Sequence, residues 1–234
     1  MSTGHYTLVT ANRNYSSWSL RPWVLMRHLG IRFTDRIAPF AKPVNWDEFR
    51  AFSPTGQVPV LIHADHVTQR TVWDSLGIVL YLAERHGGIW PEDPDCRAFA
   101  MSGVCEMHGG FSALRNQCTM NVGVRVQTGP HDAALAKDVA RLRELFEEGL
   151  DRFRGPWLAG ESFSALDAFF APVAFRVRTY ALDVGRGQEW VDRMLNLPAM
   201  RKWEAAALAE HWREESHEQE LHAAGTVVQD FRTG

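Results

Sequence analysis

The chain has 234 residues, nine of them tryptophan, and a formal net charge of −3 at neutral pH. Its length allows one or two domains with a sizeable core, and its near-neutral charge lacks the basic stripe that a nucleic-acid-binding protein needs. The start MSTGH shows no signal pattern, no apolar run reaches the length of a membrane span, and the three cysteines have no metal or CxxC spacing. We therefore expect a cytoplasmic protein without nucleic-acid or membrane partners.

The first half of the chain alternates short apolar runs with helical patterns. Predicted strands cover residues 6–10, 33–37, 59–63 and 68–72, and predicted helices cover residues 20–29, 47–52 and 75–85. A strand–helix–strand unit followed by a hairpin and a helix is the thioredoxin-like pattern. Glycine and proline in the segment GGIWPEDP then indicate a linker. We expect an α/β thioredoxin-like domain over residues 1–87, a linker over 88–94 and an all-α domain over 95–234.

The second half reads as helices. Apolar residues recur at helical spacing between residues 139 and 153, with charged residues between them. Ser164 and Asp167 form a capping-box-like helix start, whose role is folding. The apolar segment that follows contains Pro172, so we expect a kink or a broken turn there. Residues 203–215 are predicted to form a terminal helix.

The most informative motif is the segment SPTGQVPVL (residues 53–61), followed after twelve residues by WDSLGI (residues 73–78). A proline near the start of a strand belongs at an edge or in a special turn, and an X-Pro bond can be held cis. Val58 and Pro59 would then leave backbone groups free for an extended peptide. The helix that opens at Asp74 and Ser75 offers unpaired N–H groups and a positive dipole end to a carboxylate. Together these features favour a small acidic peptide as ligand.

This order of motifs resembles the glutathione-binding half of the glutathione transferases. The resemblance implies that the Val58–Pro59 bond is cis and that Val58 pairs with the cysteinyl backbone of glutathione, the co-substrate. It implies that Asp74 and Ser75 hold the γ-glutamyl end, with Gln57 near the glycyl end, and that the protein is a homodimer. Asp74 stands where glutamate is commoner in the family. The alternative is an edge-strand proline beside an ordinary helix cap.

The chemistry is expected in the segment NRNYSSWSLRPW (residues 12–23), after the first strand. Glutathione transfer needs the thiol as a thiolate, which a hydroxyl donor at a helix N-terminus stabilises. Ser16 is the first candidate, because several serine- and cysteine-type classes place the reactive residue five positions before an arginine, here Arg21. Ser17 is the second candidate, and Tyr15 or Ser19 remain. Serines at this position also commonly cap a helix without doing chemistry.

The segment also departs from the known classes. It resembles the Ser-Ser-Cys-x-x-Arg segment of the zeta class, but Trp18 replaces the cysteine and so weakens a maleylacetoacetate isomerase assignment. The absence of cysteine near the first helix argues against omega- or beta-like thiol–disulfide chemistry. Cys105 and Cys118 are expected to be small buried hydrophobic residues. The string NYSSWSLRPW resembles a group of bacterial glutathione transferases.

The electrophile is expected between the two halves, against the segment EMHGGFSALRN (residues 106–116). Glu106, His108 and Arg115 place polar groups among apolar ones there, as a ligand pocket would. The pair Gly109 and Gly110 inside a helical pattern indicates close backbone approach. His108 could instead be a satisfied core residue, and Arg115 a surface or dimer salt-bridge partner.

We thus expect a glutathione transferase that activates the glutathione thiol as a thiolate for attack on a small electrophile. One alternative is a glutathione-dependent isomerase of zeta type, which needs the same thiolate. The other is a non-catalytic protein of the same fold that carries ligands, since fold alone does not determine activity.

Overall fold

The N-terminal half of the chain is built on a four-stranded mixed sheet. The computed structural model describes residues 4–40 and 46–233, so the first three residues, on which the signal-pattern prediction partly falls, lie outside the described residues. The elements are β1 (His5–Thr10), α1 (Ser17–His28), β2 (Phe33–Ile37), α2 (Trp46–Arg50), β3 (Val60–Ala64), β4 (Gln69–Val72) and α3 (Ser75–Ala83). The strand order is β2-β1-β3-β4. β1 pairs parallel with β2 and antiparallel with β3, and β3 pairs antiparallel with β4.

The rest of the described chain is mainly helical. Its elements are α4 (Pro94–Gly109), α5 (Ser112–Gln117), β5 (Val124–Gln127), α6 (Ala133–Phe153), α7 (Ala165–Tyr180), α8 (Gly187–Asn196), α9 (Pro198–Leu208), α10 (Glu215–Ala224) and β6 (Thr226–Asp230). The predicted fold class, a thioredoxin-like α/β domain followed by a helical one, is confirmed. The sequence did not predict the antiparallel pair of β5 and β6, which stands among these helices.

Helix α7 forms the centre of the helical half. The predicted capping box is present: the Ser164 side chain accepts a hydrogen bond from a first-turn amide, and the Asp167 carboxylate accepts one from the Ser164 N–H. The expectation of a broken turn at Pro172 is wrong, because α7 is one helix from Ala165 to Tyr180, while a kink within it stays a prediction. All but one of its residues are buried, and this packing outweighs the missing proline donor.

Three further sequence expectations are corrected. The predicted helix over residues 203–215 is wrong: α9 ends at Leu208 and a separate helix, α10, begins at Glu215. Gly109 is the last residue of α4 and Gly110 its C-cap, so the glycines end a helix instead of lying inside one. Cys118 is buried as expected, but Cys105 is exposed. The apolar periodicity did not separate α9 from α10, because α10 carries few apolar residues.

Helix α1 joins the two halves of the fold. It packs against α3 on one side and against α7 and α9 on the other. Trp23 of α1 and Trp203 of α9 are both buried, with their rings in edge contact. This packing brings the first residues of α1 close to the start of α3 and the end of α4. Within residues 4–40 and 46–233, none of the helices combines the length and apolarity needed to cross a bilayer.

Candidate active site

A cavity of about 920 Å³ lies between the start of α1, the segment before β3, the start of α3 and the helical half. It brings together ten of the eleven residues that the sequence predicted as site residues. These are Tyr15, Ser16, Ser17, Gln57, Val58, Pro59, Asp74, Ser75, His108 and Arg115. Residues more than fifty positions apart in the chain therefore share one surface.

Glu106 is the exception, and the expectation that it lines the cavity is corrected. Its two carboxylate oxygens accept hydrogen bonds from Arg141 of α6, at 2.7 and 3.0 Å. The side chain joins α4 to α6 and does not border the cavity. The neighbouring polar residues His108 and Arg115 do border it.

Ser16 and Ser17, at the N-terminus of α1, differ in the hydrogen bonds of their hydroxyls. Ser16 is the N-cap residue, but its side chain makes no capping bond; its hydroxyl donates to the Ser19 hydroxyl at 2.7 Å. Ser19 also accepts the Ala11 N–H at 3.3 Å. The Ser17 hydroxyl has no hydrogen-bond partner in residues 4–40 and 46–233. Unpaired first-turn amides and a positive dipole end make this helix start favourable for an anion.

Tyr15 lines the cavity, but its hydroxyl is engaged elsewhere. It donates to the carboxylate of Glu218 in α10 at 2.6 Å. Burial, together with this carboxylate, raises the pKa of Tyr15 to about 12. The ring of His217, also in α10, stacks on the Tyr15 ring with 4.9 Å between centroids. The tyrosine therefore holds α10 against the cavity.

The segment just before β3 leaves backbone groups open to the cavity. The Val58–Pro59 peptide bond is cis, as the resemblance implied. The backbone N–H and C=O of Val58 have no hydrogen-bond partner in the described part of the chain. Gln57 is fixed by a reciprocal pair of bonds with the Ser53 hydroxyl, at 3.1 and 2.6 Å, and its side chain is exposed. An extended peptide can pair with these free backbone groups.

The start of α3 holds an unpaired donor. Asp74 is the N-cap, and one of its carboxylate oxygens accepts the N–H groups of Leu76 and Gly77. The Ser75 side chain is 0% exposed, and its hydroxyl has no partner within the described residues. A buried hydroxyl without a partner costs about 1–3 kcal/mol. A carboxylate placed at this helix start would accept that bond.

The wall on the helical side carries two arginines and one acidic residue, Glu220 of α10. Arg176 of α7 and Arg115 of α5 border the cavity, and Arg21 lies behind Trp18, with its guanidinium carbon 4.0 Å from the ring centroid. Burial and the positive charges of Arg176 and Arg115 lower the pKa of Arg21. Burial lowers the pKa of Arg176 to about 10, so it is still charged at neutral pH.

Sequence reasoning missed several lining residues, chiefly Trp18, Arg176 and His217. Arg176 carried a usable signal, because it is a charged residue at the end of an otherwise apolar helix segment. Trp18 was read only as a departure from a known pattern. His217 carried no signal, because nothing local shows that α10 turns back onto the first helix.

Comparison with known proteins identifies both halves of the chain. Residues 15–85 match the family model described as glutathione S-transferase, N-terminal domain, and residues 132–206 match that of the C-terminal domain. A curated relative, glutathione S-transferase 1 of Dianthus caryophyllus, is 27% identical over 128 residues, which are 53% of this chain and 56% of the relative. The match thus spans little more than half the length of that protein.

Solved structures of low sequence identity share the fold. A glutathione transferase homolog from Burkholderia with bound glutathione has a TM-score of 0.62 at 18% identity, covering 87% of this chain and 98% of its own. The Tau class glutathione S-transferase of mango, Mangifera indica, has a TM-score of 0.64 at 18% identity, covering 94% and 97%.

Proposed function

This chain belongs to the glutathione S-transferase family, and on that premise we propose that it binds glutathione and holds its thiol as a thiolate for attack on a small electrophile. One observation carries the proposal. The cavity combines unpaired backbone groups at Val58, an unpaired hydroxyl at Ser75 and two hydroxyls at the free start of α1. The Val58 backbone matches a peptide backbone, the Ser75 hydroxyl matches a carboxylate, and the hydroxyls at the start of α1 match a sulfur anion.

Glutathione fits this surface as an extended peptide. We propose that Val58 pairs with its cysteinyl backbone and that Ser75 and the free amide at the start of α3 hold the γ-glutamyl carboxylate. The second carboxylate oxygen of Asp74, which lies 3.3 Å from the His108 ring, is available for the γ-glutamyl amino group. Gln57 is the candidate for the glycyl end. The bound glutathione in the related Burkholderia structure supports this choice of ligand.

Ser16 is our candidate for the hydroxyl that stabilises the thiolate. In the free protein its proton points to Ser19. A hydroxyl pair can reverse, because each hydroxyl both donates and accepts. Once Ser19 donates to Ser16, the Ser16 proton is free for the sulfur. Ser17, whose hydroxyl is already unpartnered, is the competing candidate.

The proposed reaction needs no covalent bond to the protein. The thiol proton is released to solvent, and the serine hydroxyl and the helix dipole stabilise the remaining thiolate. The sulfur electron pair then forms a bond to the electrophilic carbon. The leaving group departs with its bonding pair, or an unsaturated acceptor takes a proton from water. The role of the serine is electrostatic.

Titration of the protein–glutathione complex from pH 5 to 9, followed by thiolate absorbance in the ultraviolet, tests the proposal. We expect a bound thiol pKa well below the free value of about 8.5. Ser16→Ala is expected to raise it and to lower turnover by about 10- to 100-fold. Ser102→Ala, which removes an exposed serine of α4 outside the cavity, is the matched control. If Ser17→Ala has these effects and Ser16→Ala does not, Ser17 is the donor.

The γ-glutamyl site has its own test. Asp74→Asn keeps an oxygen for capping α3 but removes the charge, so glutathione affinity should fall while the bound thiol pKa stays low. Asp93→Asn makes the same change at the N-cap of α4, where Asp93 accepts the Cys96 N–H at 2.9 Å. It should leave glutathione affinity unchanged. Absence of any glutathione binding by the wild-type protein would refute the proposed function.

A ligand carrier is the second candidate, and the Ser16–Ser19 bond favours it. If that bond persists in the complex, Ser16 gives nothing to the sulfur, and glutathione would bind with an unshifted thiol pKa. A zeta-type isomerase would show the same lowered thiol pKa as a transferase but would regenerate free glutathione. Product analysis separates these two.

We also propose a cytoplasmic homodimer, as the family resemblance implied. Three large apolar side chains are exposed on α3, α4 and the end of β4: Leu80, Met101 and Trp73. Sedimentation of the protein, alone and with Leu80→Lys, tests the dimer. A wild-type monomer would overturn it.

A further inference from the structure

Two arginines contact the Trp18 ring beside the cavity, and a third arginine lies near them. The guanidinium carbons of Arg21 and Arg115 lie 4.0 and 5.3 Å from the Trp18 ring centroid. Arg176 is near enough to both for their charges to repel. Arg115 and Arg176 border the cavity directly. They stand on the helical wall, away from Val58.

No described carboxylate forms a salt bridge with any of these arginines. The charges of two carboxylates, Asp74 and Asp138, act on Arg21 and Arg115 without forming a salt bridge with them. Asp74 caps α3 and contacts the His108 ring. Asp138 accepts the Leu114 N–H at 3.0 Å. Salt-bridge compensation of the three arginines is therefore absent within residues 4–40 and 46–233, although Glu220 of α10 also lines the cavity.

Burial makes this lack of compensation costly. Arg21 and Arg176 are 1% and 4% exposed, and two nitrogens of Arg21 have no hydrogen-bond partner within the described residues. A buried charge is normally paired, because leaving water is expensive for an ion. Unpaired buried cations beside a cavity are typical of a site that a ligand's charge completes.

We propose that the electrophile carries a carboxylate, which Arg176 and Arg115 bind; this rests on the proposed function. Arg176 uses its Nε–H to donate to the Cys118 carbonyl at 2.7 Å, which fixes the guanidinium plane. Its two Nη groups have no hydrogen-bond partner among the described residues, and the Arg176 side chain lines the cavity. A planar fork of this kind matches a carboxylate bidentately. Arg115 adds a second charge, anchored to the His108 carbonyl at 3.1 Å.

A non-reactive probe tests the anion site separately from catalysis. Calorimetry should compare 3,5-dinitrobenzoate with its uncharged methyl ester, each with and without saturating glutathione. We expect the anion to bind at least about tenfold more tightly than the ester. Arg176→Gln and Arg115→Gln should each remove that preference. Arg152→Gln, which removes an exposed arginine of α6, should preserve it.

Turnover then links the site to the reaction. The probes are 4-chloro-3,5-dinitrobenzoate and its methyl ester, in which the thiolate forms a C–S bond and chloride leaves with the C–Cl electron pair. We expect a KM at least about tenfold lower for the anion, and loss of that difference in Arg115→Gln. The bound thiol pKa should stay low in this variant. Because Arg176 is buried, Arg176→Lys serves as a folded variant that keeps the charge but loses the bidentate fork.

The outcomes separate the two proposals. Equal binding of anion and ester by the wild-type protein would overturn the carboxylate site, even if glutathione activation is found. Preferred anion binding without a shifted glutathione pKa would support the site and refute the transferase function. A raised thiol pKa in Arg115→Gln, with unchanged anion affinity, would assign the arginines to the thiolate and overturn the inference.

Discussion

Replacing the buried Asp167 by asparagine should destabilise the protein more than the same substitution at an exposed aspartate. The Asp167 side chain is 0% exposed. One carboxylate oxygen accepts the Leu158 N–H at 3.0 Å and the Trp190 indole N–H at 2.9 Å. The other accepts the Ser164 N–H at 3.0 Å and the Ser164 hydroxyl at 3.3 Å. One carboxylate thus ties the start of α7 to α8 and to the preceding loop.

The magnitude follows from this set of donors. An asparagine side chain presents one oxygen and one NH₂ group, so whichever way it turns, at least one backbone N–H loses its acceptor. A hydrogen bond to a charged group contributes about 1.5–3 kcal/mol, and the bonds that remain become neutral and weaker. We therefore expect Asp167→Asn to lower the free energy of unfolding by about 3–5 kcal/mol. For a chain of this size that corresponds to a fall in melting temperature of about 6–20 °C.

Differential scanning calorimetry and urea unfolding measure the change. The matched control is Asp151→Asn, at an exposed residue of α6 that pairs with Arg186 on the surface. Exposed ion pairs contribute little, so its melting temperature should stay at the wild-type value. Equal melting temperatures for the two variants would refute the view that Asp167 holds this region together.

Three further predictions concern other parts of the fold. Tyr15→Phe should leave the bound thiol pKa unchanged, because the tyrosine hydroxyl already donates to Glu218; a raised thiol pKa in the titration would contradict this. Gly149→Ala should lower the free energy of unfolding by about 2 kcal/mol, since a Cβ there would lie 2.3 Å from the Leu158 carbonyl oxygen; an unchanged melting temperature would disprove it. Burial opposes ionisation of Glu214, but the hydrogen bonds that it accepts at the start of α10 outweigh burial and lower its pKa from 4.5 to about 2. Its stabilisation should therefore be complete above about pH 4.5 and be lost as the pH falls toward 2, and melting curves should show a weaker acid dependence in Glu214→Gln.

The parts of the site that sequence could predict are those with local signatures. The Val58–Pro59 segment and the Asp74–Ser75 helix start each depend on neighbouring residues in the chain, through turn chemistry and capping. Their order and spacing then carry the family resemblance. The capping box of Ser164 was predictable for the same reason. Each of these motifs indicates its local geometry from adjacent residues alone.

The features that sequence missed depend on distant partners. β5 and β6 pair Val124 with Asp230, residues more than a hundred positions apart, and neither strand has a long alternating pattern. Pro172 indicates a break on local grounds, but the packing of α7 decides otherwise. In the sequence, Arg176 is a single charged residue in an apolar run, and only the fold brings it near Arg21 and Arg115. Long-range contacts supply what local propensity lacks.

The loop before Ser16 is held in place by hydrogen bonds to α9 and to the residues just after it. The buried carboxylate of Glu210 accepts the N–H groups of Arg13 and Asn14, at 2.7 and 3.2 Å, across 197 and 196 residues. Trp203 donates its indole N–H to the Arg13 carbonyl at 2.9 Å. These bonds fix the backbone immediately before Ser16. A sequence reading finds the serine but not the carboxylate that orients its loop. The position of the Ser16 hydroxyl, our proposed thiolate donor, thus depends on the whole fold, while the sequence motif alone identifies the residue.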